Sequence, residues 1–354
     1  MLHCSQVTRV TKPKGRDAMA TRQDVAARAG VSVATVSYVL NDTKKITPEV
    51  RERVLRAVEE LNYRPNLLAR SLTKKETRHV AMLVDNLNNP HYCEMLSGAQ
   101  SVASEKGYIV SVISVDVSGS HDVLDLASRG LDGIILALGA GNATIESLLP
   151  ASMPRISPNH CISFDIQNAF DTLLHTLTGL GHKNIAFLSG LSLASPHHWR
   201  YIAWKDALAR HGLPLDDALL VNGLPGEITN EAEGMRAARE LLARKKPFTA
   251  LFAVNDLMAL GAMRALHLSG LRVPEDVSVV GCDHLQVLQS ITPSLATMDM
   301  YTFETGKLLM RMLIDEINGA RYSRQRVEVD FVPGESIGPA YARRRAYKYC
   351  ILAP

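Results

Sequence analysis

The feature that most constrains this chain is an alternation of short apolar runs with longer stretches of helical periodicity, which begins at His79. The runs predict strands at Val80–Val84, Ile109–Ile113, Gly133–Leu138, Ile185–Leu188, Ala250–Val254 and Val277–Val280. The stretches predict helices at Glu94–Glu105, Trp199–His211, Asn230–Ala243 and Leu257–Ser269. Short strands separated by helices indicate parallel βαβ units, in which ligands bind beyond the carboxyl ends of the strands.

Several of these predicted strands end in polar residues. Asp85 follows the first strand, Asn255 and Asp256 follow a later one, and Asp283 follows the last. This pattern predicts a binding cleft without specifying a reaction. An alternative stays open, because Asn255 and Asp256 are equally suited to cap the helix that follows, and Asp283 could be a cap as well.

Composition restricts the class of protein. At 354 residues the chain is long enough for about two domains, and with 46% apolar and 21% charged residues it resembles a soluble globular protein. No run approaches the roughly 20 apolar residues of a membrane span, and residues 1–18 lack the apolar segment of a signal peptide. Five widely spaced cysteines predict neither disulfides nor zinc, which is typical of a reducing cytosol.

Positively and negatively charged residues are unevenly distributed along the chain. Residues 1–75 hold fifteen Lys and Arg against seven Asp and Glu, so the remainder carries a net −5 within the total of +3. Such asymmetry predicts that the basic end meets a polyanion. A solvated basic tail is the alternative that motifs must exclude.

The basic end contains a helix-turn-helix pattern. A short helix starts near Thr21 and ends at Gly30, and Ser32 is a good N-cap for a second helix over Val33–Leu40. The outward side chains of the second helix are short or polar: Val33, Ala34, Thr35, Ser37 and Tyr38. Short side chains near a helix start permit close approach to base edges in the major groove of DNA.

A third helix follows, with Thr47 as its cap and Pro48 at its first position. Its apolar residues are Val50, Val54, Leu55, Val58 and Leu61, which we expect to complete a three-helix core. Its mixed arginines and glutamates favour a solvated face, so Lys44 and Lys45 in the preceding loop are better phosphate contacts. Pro65 then breaks the chain before Leu67–Leu72, which is too short for a stable isolated helix and is expected to order on binding.

The run MATRQDVAARAGVSVATVSYVLN from Met19 to Asn41, followed by RPNLLARSL from Arg64 to Leu72, resembles the LacI/GalR family of bacterial transcription repressors. The resemblance implies that Ser32–Leu40 is the recognition helix and that Asn66–Leu72 is a hinge helix that folds on the operator. It implies DNA contacts by Thr21, Ser32, Val33, Ala34, Thr35, Ser37, Tyr38, Asn41, Lys45, Asn66, Ala69 and Leu72. Leu72 stands at the place of the family's minor-groove wedge. Many members have arginine at the position of Tyr38, so readout of guanine by a bidentate fork is not implied here.

The motifs GHKNI, VNDLMALGAMRAL, VPEDVSVVGCDH and TPSLATM resemble the family's effector-binding core, which is similar to periplasmic sugar-binding proteins. The resemblance places the effector contacts at His91, Tyr92, Arg200, Asn255 and Asp283. A surface position for Arg200 is the alternative. The chain departs from the family between Asp116 and Asp132 and between Pro154 and Ser163, where it is short, so part of the pocket wall is expected to be missing. Thr229 and Cys282 occupy positions where aromatic residues are usual, so ring stacking on a ligand is expected to be weak.

The predicted fold is therefore α/β, with an N-terminal all-α helix-turn-helix head and a two-lobed periplasmic-binding-protein-like core of parallel βαβ units. The predicted domains are an extension at 1–18, the head at 19–65, the hinge and linker at 66–76, the core at 77–339 and a basic tail at 340–354. The first lobe is assigned to about 77–164 and 298–320, and the second to 165–297 and 321–339.

The predicted function is a homodimeric, cytoplasmic regulator, a repressor that binds a pseudo-palindromic DNA operator under the control of a sugar-like effector. No catalytic residue, metal, cofactor or membrane partner is expected. His197 and His198 are adjacent and therefore diverge on a helix, which favours the cleft rim over a metal site.

Overall fold

A computed structural model of the chain describes residues 20–64, 76–115, 130–138, 142–195, 198–224 and 229–340. The chain divides into two compact units, residues 1–77 and 78–354, which are described one at a time. The predicted N-terminal extension and the tail beyond residue 340 lie outside the described residues. So do three predicted DNA contacts of the hinge, Asn66, Ala69 and Leu72.

The first unit contains three helices, α1 (Arg22–Ala29), α2 (Val33–Asn41) and α3 (Pro48–Glu60). They share a small core of buried side chains, which comprises Val25, Ala26, Ala29, Val36, Val39, Val54, Ala57 and Tyr63. The turn between α1 and α2 is the predicted one. Gly30 ends α1 with a left-handed φ of 63°, and the Ser32 side chain caps α2.

Two details of the head differ from the sequence prediction. Leu55 was expected in the core but is 47% exposed, because α3 turns only one narrow face toward α1 and α2, and Val54 and Ala57 fill it. Thr47 precedes α3 as predicted, but its side chain makes no capping hydrogen bond. Pro48 occupies the first position of α3 as predicted.

The second unit begins with strand β1 and contains the rest of the described chain. Its helices are α4 (Pro90–Lys106), α5 (Asn142–Leu148), α6 (Pro158–Cys161), α7 (Gln167–Gly179), α8 (Trp199–Arg210), α9 (Glu231–Ala243), α10 (Asp256–Leu268) and α11 (Thr302–Ile317). Its strands are β1 (His79–Val84), β2 (Ile109–Ser114), β3 (Gly133–Ala137), β4 (Arg155–Ile156), β5 (Ile162–Asp165), β6 (Ile185–Leu188), β7 (Leu220–Val221), β8 (Ala250–Ala253), β9 (Ser278–Val280), β10 (Thr297–Asp299), β11 (Gln325–Glu328) and β12 (Asp330–Val332).

The first lobe is a parallel sheet with helices on both faces. Its strands run in the order β2-β1-β3-β4, with Val80 aligned to Val110 and to Gly133. Alternate residues of β1 enter different cores: Met82 packs with α4 and α11, and Leu83 packs with α5. A strand that is buried on both faces reads as a continuous apolar run, which is why the sequence located it correctly.

The second lobe repeats this plan. Its sheet has the parallel order β7-β6-β8-β9, and its core is centred on a group of packed aromatic rings. Phe187 packs against Phe252 at 5.6 Å between ring centroids, and Trp204 packs against Phe252 at the same distance. Two parallel sheets with separate cores confirm the predicted α/β class, because each sheet needs its own covering helices.

The chain crosses between the lobes more than once, and the crossings differ from the predicted boundaries. β5 pairs in parallel with β11, and Val327 of β11 packs on the first-lobe core. Met298 and Met300 pack in the second-lobe core instead. Residues 298–300, which the sequence assigned to the first lobe, therefore lie in the second, and residues 325–328, which it assigned to the second, lie in the first. Hydrophobic periodicity does not show which distant strands pair at a crossover.

Close helix packing depends on glycine in both lobes. A Cβ at Gly98 of α4 would lie 1.9 Å from the carbonyl oxygen of Phe303, and one at Gly306 of α11 would lie 2.0 Å from that of Met95. In the second lobe, Gly261 of α10 approaches the backbone of α9 in the same way. These helix pairs are therefore in direct backbone contact.

Of the two regions that are short in the sequence, Asp116–Asp132 lies mostly outside the described residues, and Pro154–Ser163 holds only short elements. β4 has two residues and α6 has four, and together they join β3 to the crossover strand β5. Within the described residues, no helix is long and apolar enough to cross a bilayer.

Candidate DNA-reading head and effector cleft

The outward face of α2 is formed by small and polar side chains, as predicted. Val33 and Ala34 are exposed at its first turn, while Thr35, Ser37 and Tyr38 are partly exposed. Two of the predicted contacts are already engaged locally. Ser32 Oγ accepts the Thr35 N–H at 3.1 Å and lies 2.9 Å from Thr35 Oγ1.

Asn41 closes the far end of this face. Its Nδ2 donates to Ser37 O at 2.9 Å and to Ser37 Oγ at 3.1 Å. Thr21, at the start of α1, exchanges hydrogen bonds with Asp24 in a capping box. Contacts of these side chains with DNA would therefore use their remaining hydrogen-bonding capacity, because their first partners are within the head.

Tyr38 has a basic neighbour that the sequence analysis assigned only to the loop. Lys44 Nζ lies 4.5 Å from the centroid of the Tyr38 ring, within the range of a cation–π contact. Lys45 is exposed beside it. The Lys44 ammonium group therefore stands next to the outward face of α2, where a phosphate backbone would run if α2 entered the major groove.

The candidate effector site of the second unit is built around the turn that follows β9. The buried Asp256 side chain holds this turn: its Oδ2 accepts the Leu285 N–H at 2.8 Å, and its Oδ1 accepts the Thr297 hydroxyl at 2.5 Å. The Asp256 N–H in turn donates to Cys282 O at 2.9 Å. Asp256 therefore fixes the backbone on both sides of Asp283.

The turn that carries Asp283 has an unusual backbone. Asp283 has φ 134° and His284 has φ 61°, a region that non-glycine residues seldom adopt. Such conformations persist where surrounding bonds over-determine them and are frequent at ligand sites. The bonds from Asp256 supply that constraint, together with the hydrogen bond from Asp283 N–H to Met298 O at 2.9 Å.

Arg200 reaches this carboxylate from the start of α8. Its Nη2 donates to Asp283 Oδ1 at 3.3 Å, and the two side chains are 19% and 5% exposed. Arg200 Nε is buried and has no hydrogen-bond partner within the described residues. An unpaired guanidinium N–H in a cleft is a donor that a ligand oxygen would satisfy. The structure thus brings two predicted contacts together.

The first lobe meets the same carboxylate through α4. His91 Nδ1 lies 3.9 Å from Asp283 Oδ1 and 3.3 Å from Thr302 Oγ1. Close by, the Gln286 N–H of the second lobe donates to Glu94 Oε1 of the first at 3.3 Å. The site therefore lies where the two lobes touch. Binding of a ligand at the site is physically linked to the distance between the lobes.

Tyr92, the neighbour of His91 in the chain, is hydrogen-bonded to the carboxylate of Asp85. Burial and the nearby Asp85, to which its hydroxyl is hydrogen-bonded, raise the pKa of Tyr92. The Tyr92 hydroxyl therefore stays protonated and can serve as a donor throughout the neutral range.

Asn255 is the predicted contact with the clearest structural role. Its Oδ1 caps α10 by accepting the Met258 N–H at 2.9 Å, and its Nδ2 donates to Thr229 O at 2.9 Å. The capping alternative raised from the sequence is thus realised. A ligand contact by Asn255 stays a prediction and would use the second Nδ2 hydrogen.

Burial controls the ionisation of the cleft. Desolvation raises the pKa of Asp283, although the Arg200 guanidinium acts against it, and desolvation also raises the pKa of Asp256. Burial and the charge of Arg200 together lower the pKa of His91 to about 4. The imidazole is therefore neutral at pH 7, and Arg200 is the cation that faces Asp283.

His198 is not a rim residue, contrary to the sequence prediction. It is 2% exposed, and its Nδ1 accepts the Tyr201 N–H at 3.3 Å while Nε2 lies 2.7 Å from Ser189 Oγ. Since Nδ1 accepts, Nε2 carries the proton. Its position at the N-cap of α8 turns it into the core; His197 lies outside the described residues.

Sequence reasoning missed two aromatic side chains beside the cleft. Trp199 immediately precedes Arg200, and its ring stacks on that of Phe164 with 5.7 Å between centroids. The sequence analysis looked for a stacking residue near Thr229, where homologous positions suggested it. The adjacency of Trp199 to Arg200 was a usable signal, but the approach of Phe164 depends on tertiary structure. No metal-binding group of His, Cys, Asp or Glu occurs among the residues the structure describes.

A helix-turn-helix head joined to a two-lobed core with a buried polar cleft defines the class of ligand-responsive bacterial transcription regulators. Residues 21–66 match the family described as bacterial regulatory proteins, lacI family, and residues 174–337 match a periplasmic binding protein-like domain. The chain belongs to the LacI family and is a DNA-binding transcription regulator.

Similar proteins span nearly the whole chain. The HTH-type transcriptional regulator AscG of Escherichia coli (strain K12) is 35% identical over 86% of this chain and 94% of its own length. Catabolite control protein A of Priestia megaterium is 32% identical over 84% of this chain and 92% of its own length. The structure of the Lac repressor dimer bound to operator and the anti-inducer ONPF has a TM-score of 0.75 at 26% identity, covering 90% of this chain and 99% of that one.

Proposed function

We propose that this regulator is a repressor that binds a pseudo-palindromic operator as a homodimer and changes its affinity when a small molecule enters the cleft around Arg200 and Asp283. The observation that carries the proposal is the buried Arg200 Nε, which has no hydrogen-bond partner in the described part of the chain, at a site where His91 of the other lobe approaches the Asp283 carboxylate. A ligand that bonds to Arg200 and Asp283 there must alter the lobe contact.

The proposed DNA-reading surface is the outward face of α2 together with the start of α1 and the following loop. We assign base or phosphate contacts to Thr21, Ser32, Val33, Ala34, Thr35, Ser37, Tyr38, Asn41 and Lys45. Two such heads would occupy half-sites about one helical turn, roughly 10 bp, apart. The basic excess of residues 1–75 supports this assignment, since phosphate neutralisation supplies much of the affinity of DNA-binding proteins.

The proposed hinge contacts are Asn66, Ala69 and Leu72, with Leu72 as a minor-groove wedge. A wedge that unstacks one base step acts only where the duplex is bent around the specific site. Leu72→Ala is therefore expected to weaken specific operator binding far more than binding to random DNA. An equal loss on both duplexes, measured by fluorescence anisotropy, would contradict the wedge.

The proposed effector is a neutral polyhydroxylated molecule such as a sugar. Arg200 contacts the Asp283 carboxyl group, and the carboxyl groups of Asp85 and Glu94 lie close to the neighbouring His91, which disfavours an anionic ligand and favours a ligand with several hydroxyl donors. One structural relative, the regulator CelR, is described as a cellobiose complex; it is 29% identical, with a TM-score of 0.61, and covers 90% of this chain. We propose that binding is not followed by turnover and that the protein acts in the bacterial cytoplasm.

The function is tested by selecting duplexes from a random library with the purified full chain, and then titrating the selected duplex with salt and with cellobiose, D-ribose and D-glucose. A pseudo-palindrome that binds much more tightly than random DNA is expected. Binding that depends on salt but not on sequence, with or without sugar, would contradict the repressor assignment.

The effector site is tested separately with Asp283→Ala. This variant is expected to keep the operator affinity of the ligand-free protein and to lose the response to the sugar that acts on the wild type. An unchanged response would place the effector elsewhere in the core.

A further inference from the structure

Three side chains beside the cleft form a continuous stack. The rings of Phe164 and Trp199 are nearly parallel, with 15° between their planes, and Arg200 Cζ lies 4.5 Å from the centroid of the Trp199 ring. The guanidinium then donates to Asp283 at 3.3 Å. We name Phe164, Trp199 and Arg200 the aromatic–guanidinium stack.

The first member of the stack belongs to a crossing between the lobes. Phe164 lies on β5, and its side chain packs against both the first-lobe and the second-lobe cores. Trp199 packs against the second-lobe core at the first position of α8. A change in the angle between the lobes must therefore be accommodated at Phe164, which is in direct contact with the ring that supports Arg200.

The stack also explains how a buried guanidinium is oriented with few hydrogen bonds. A guanidinium plane that lies on an indole ring keeps its edge free for in-plane hydrogen bonds, and it is less strongly hydrated than an ammonium group. Here Nη2 faces Asp283, the Cys282 thiol lies close to the guanidinium, and Nε has no hydrogen-bond partner among the described residues. The ring contact thus supports the guanidinium without occupying Nε.

We propose that Trp199 is the positioning residue of the effector site: it holds the Arg200 guanidinium toward the ligand and, through Phe164, ties that guanidinium to the crossing between the lobes. The inference rests on the proposed effector function. It assigns to Trp199 a contribution to effector affinity and not to operator binding by the ligand-free protein.

The chain offers a spectroscopic reporter for this proposal. It has two tryptophans, and the other, Trp204, is fully buried in the second-lobe core. A ligand that displaces or tightens the guanidinium over the Trp199 ring is expected to change Trp199 emission, and Trp199→Phe identifies that signal by removing it.

The first experiment needs no ligand. Arg200 Nε–Hε is recorded by ¹⁵N-edited NMR of the full-length protein and assigned by its loss in Arg200→Lys. Ring-current shielding and slow solvent exchange are expected in the wild type. Trp199→Phe should keep both in part, and Trp199→Leu should abolish the shielding. An Hε resonance that is unchanged in Trp199→Leu would overturn the stack.

The second experiment measures affinity for cellobiose, D-ribose and D-glucose by calorimetry. Trp199→Leu is expected to weaken the sugar that binds the wild type roughly tenfold, about the upper half of the range of a cation–π contact, and Trp199→Phe to recover most of the loss. The matched control is Phe303→Leu, an exposed ring 5.6 Å from Lys307 Nζ, which should retain wild-type affinity.

The outcomes separate this proposal from the function on which it rests. Equal affinity of Trp199→Leu and wild type, or an equal loss in Trp199→Leu and Trp199→Phe, would overturn the positioning role. Phe164→Leu gives a second route if Trp199→Leu does not fold, and it should reduce the sugar-induced change in operator affinity. Failure of every sugar to bind the wild type would count against the effector class, while the ligand-free NMR result would still decide the stack.

Discussion

Asp256 illustrates how a residue near a site can act by fixing the turn that carries another residue. Its carboxylate accepts hydrogen bonds from Leu285 N–H and the Thr297 hydroxyl, and it sits on the edge of the turn that places Asp283. In the sequence Asp256 reads as a helix cap in the VND motif. Its larger role is visible only because β9 and β10 bring distant residues to it.

The raised pKa of Asp256 has a consequence for stability. Because burial makes the folded-state pKa higher than the unfolded one, the folded protein binds the extra proton, and this contribution to stability is lost as pH rises above about 4. Asp256→Asn mimics the protonated form. The variant is therefore expected to gain stability relative to wild type as pH increases from 4 to 7, measured by urea unfolding at each pH. A difference that does not change with pH would contradict the assigned shift.

Asn255 allows its capping role to be separated from a ligand role. Asn255→Ala removes the cap of α10 and the bond to Thr229, so we expect a loss of about 1–2 kcal/mol in the free energy of unfolding. Asn255→Asp keeps the cap acceptor but loses the Nδ2 donor. If only stability falls and sugar affinity per folded molecule is unchanged in both variants, Asn255 is structural and the predicted ligand contact is wrong.

At the scale of elements, the strongest sequence signals were the buried strands and the capped helices. β6 was predicted at its observed bounds, α1 begins next to Thr21 as predicted, and Ser32 is the predicted N-cap of α2. The sequence analysis did not identify α7 or α11, or the strands β5, β10, β11 and β12. The short crossover strands are stabilised by pairing with distant segments, so their own residues carry little periodic signal.

The direct backbone contact between α4 and α11 is testable with glycine substitutions. Gly98→Ala would place a methyl group 1.9 Å from the Phe303 carbonyl oxygen, so the helices must move apart, and a loss of about 1–3 kcal/mol or more in unfolding free energy is expected. Gly179→Ala is the matched control: this glycine ends α7 with open space around it, so the change should be neutral or stabilising by up to about 1 kcal/mol. Equal effects in thermal unfolding would contradict the close packing.

At the scale of the whole molecule, the charges that favour DNA binding and the charges of the effector cleft lie in different parts of the chain. Residues 1–75, which include the head, carry the positive excess, whereas the rest of the chain is net negative and the cleft sets the Asp283 carboxyl group against Arg200. DNA affinity is therefore expected to fall steeply with salt, because phosphate contacts release counterions, whereas sugar affinity should change little between about 50 and 200 mM salt. Anisotropy and calorimetry on the same protein sample measure both, and a parallel salt dependence would contradict this division.

Effector control of the operator is a linkage between two binding equilibria. Allosteric coupling is typically about 1–3 kcal/mol, which changes operator affinity by roughly 5- to 150-fold. Reciprocity requires the operator to change sugar affinity by the same factor. Titration of sugar with and without the selected duplex, and of duplex with and without sugar, is expected to give the same factor, well above one; a factor of one in both titrations would mean that the two sites are not coupled.

The sequence by itself determined the local parts of this protein. It specified the helix-turn-helix and the parallel α/β class, because caps, turns and doubly buried strands leave their pattern in adjacent residues. Arg200 was indicated only by the resemblance to the LacI/GalR family, and Asp283 by that resemblance and by its place after a predicted strand. Only the tertiary structure decided the lobe crossings, the exposure of Leu55 and the stack of Phe164 on Trp199. These features depend on side chains that are far apart in the chain, and their packing energy is gained only when the lobes are assembled.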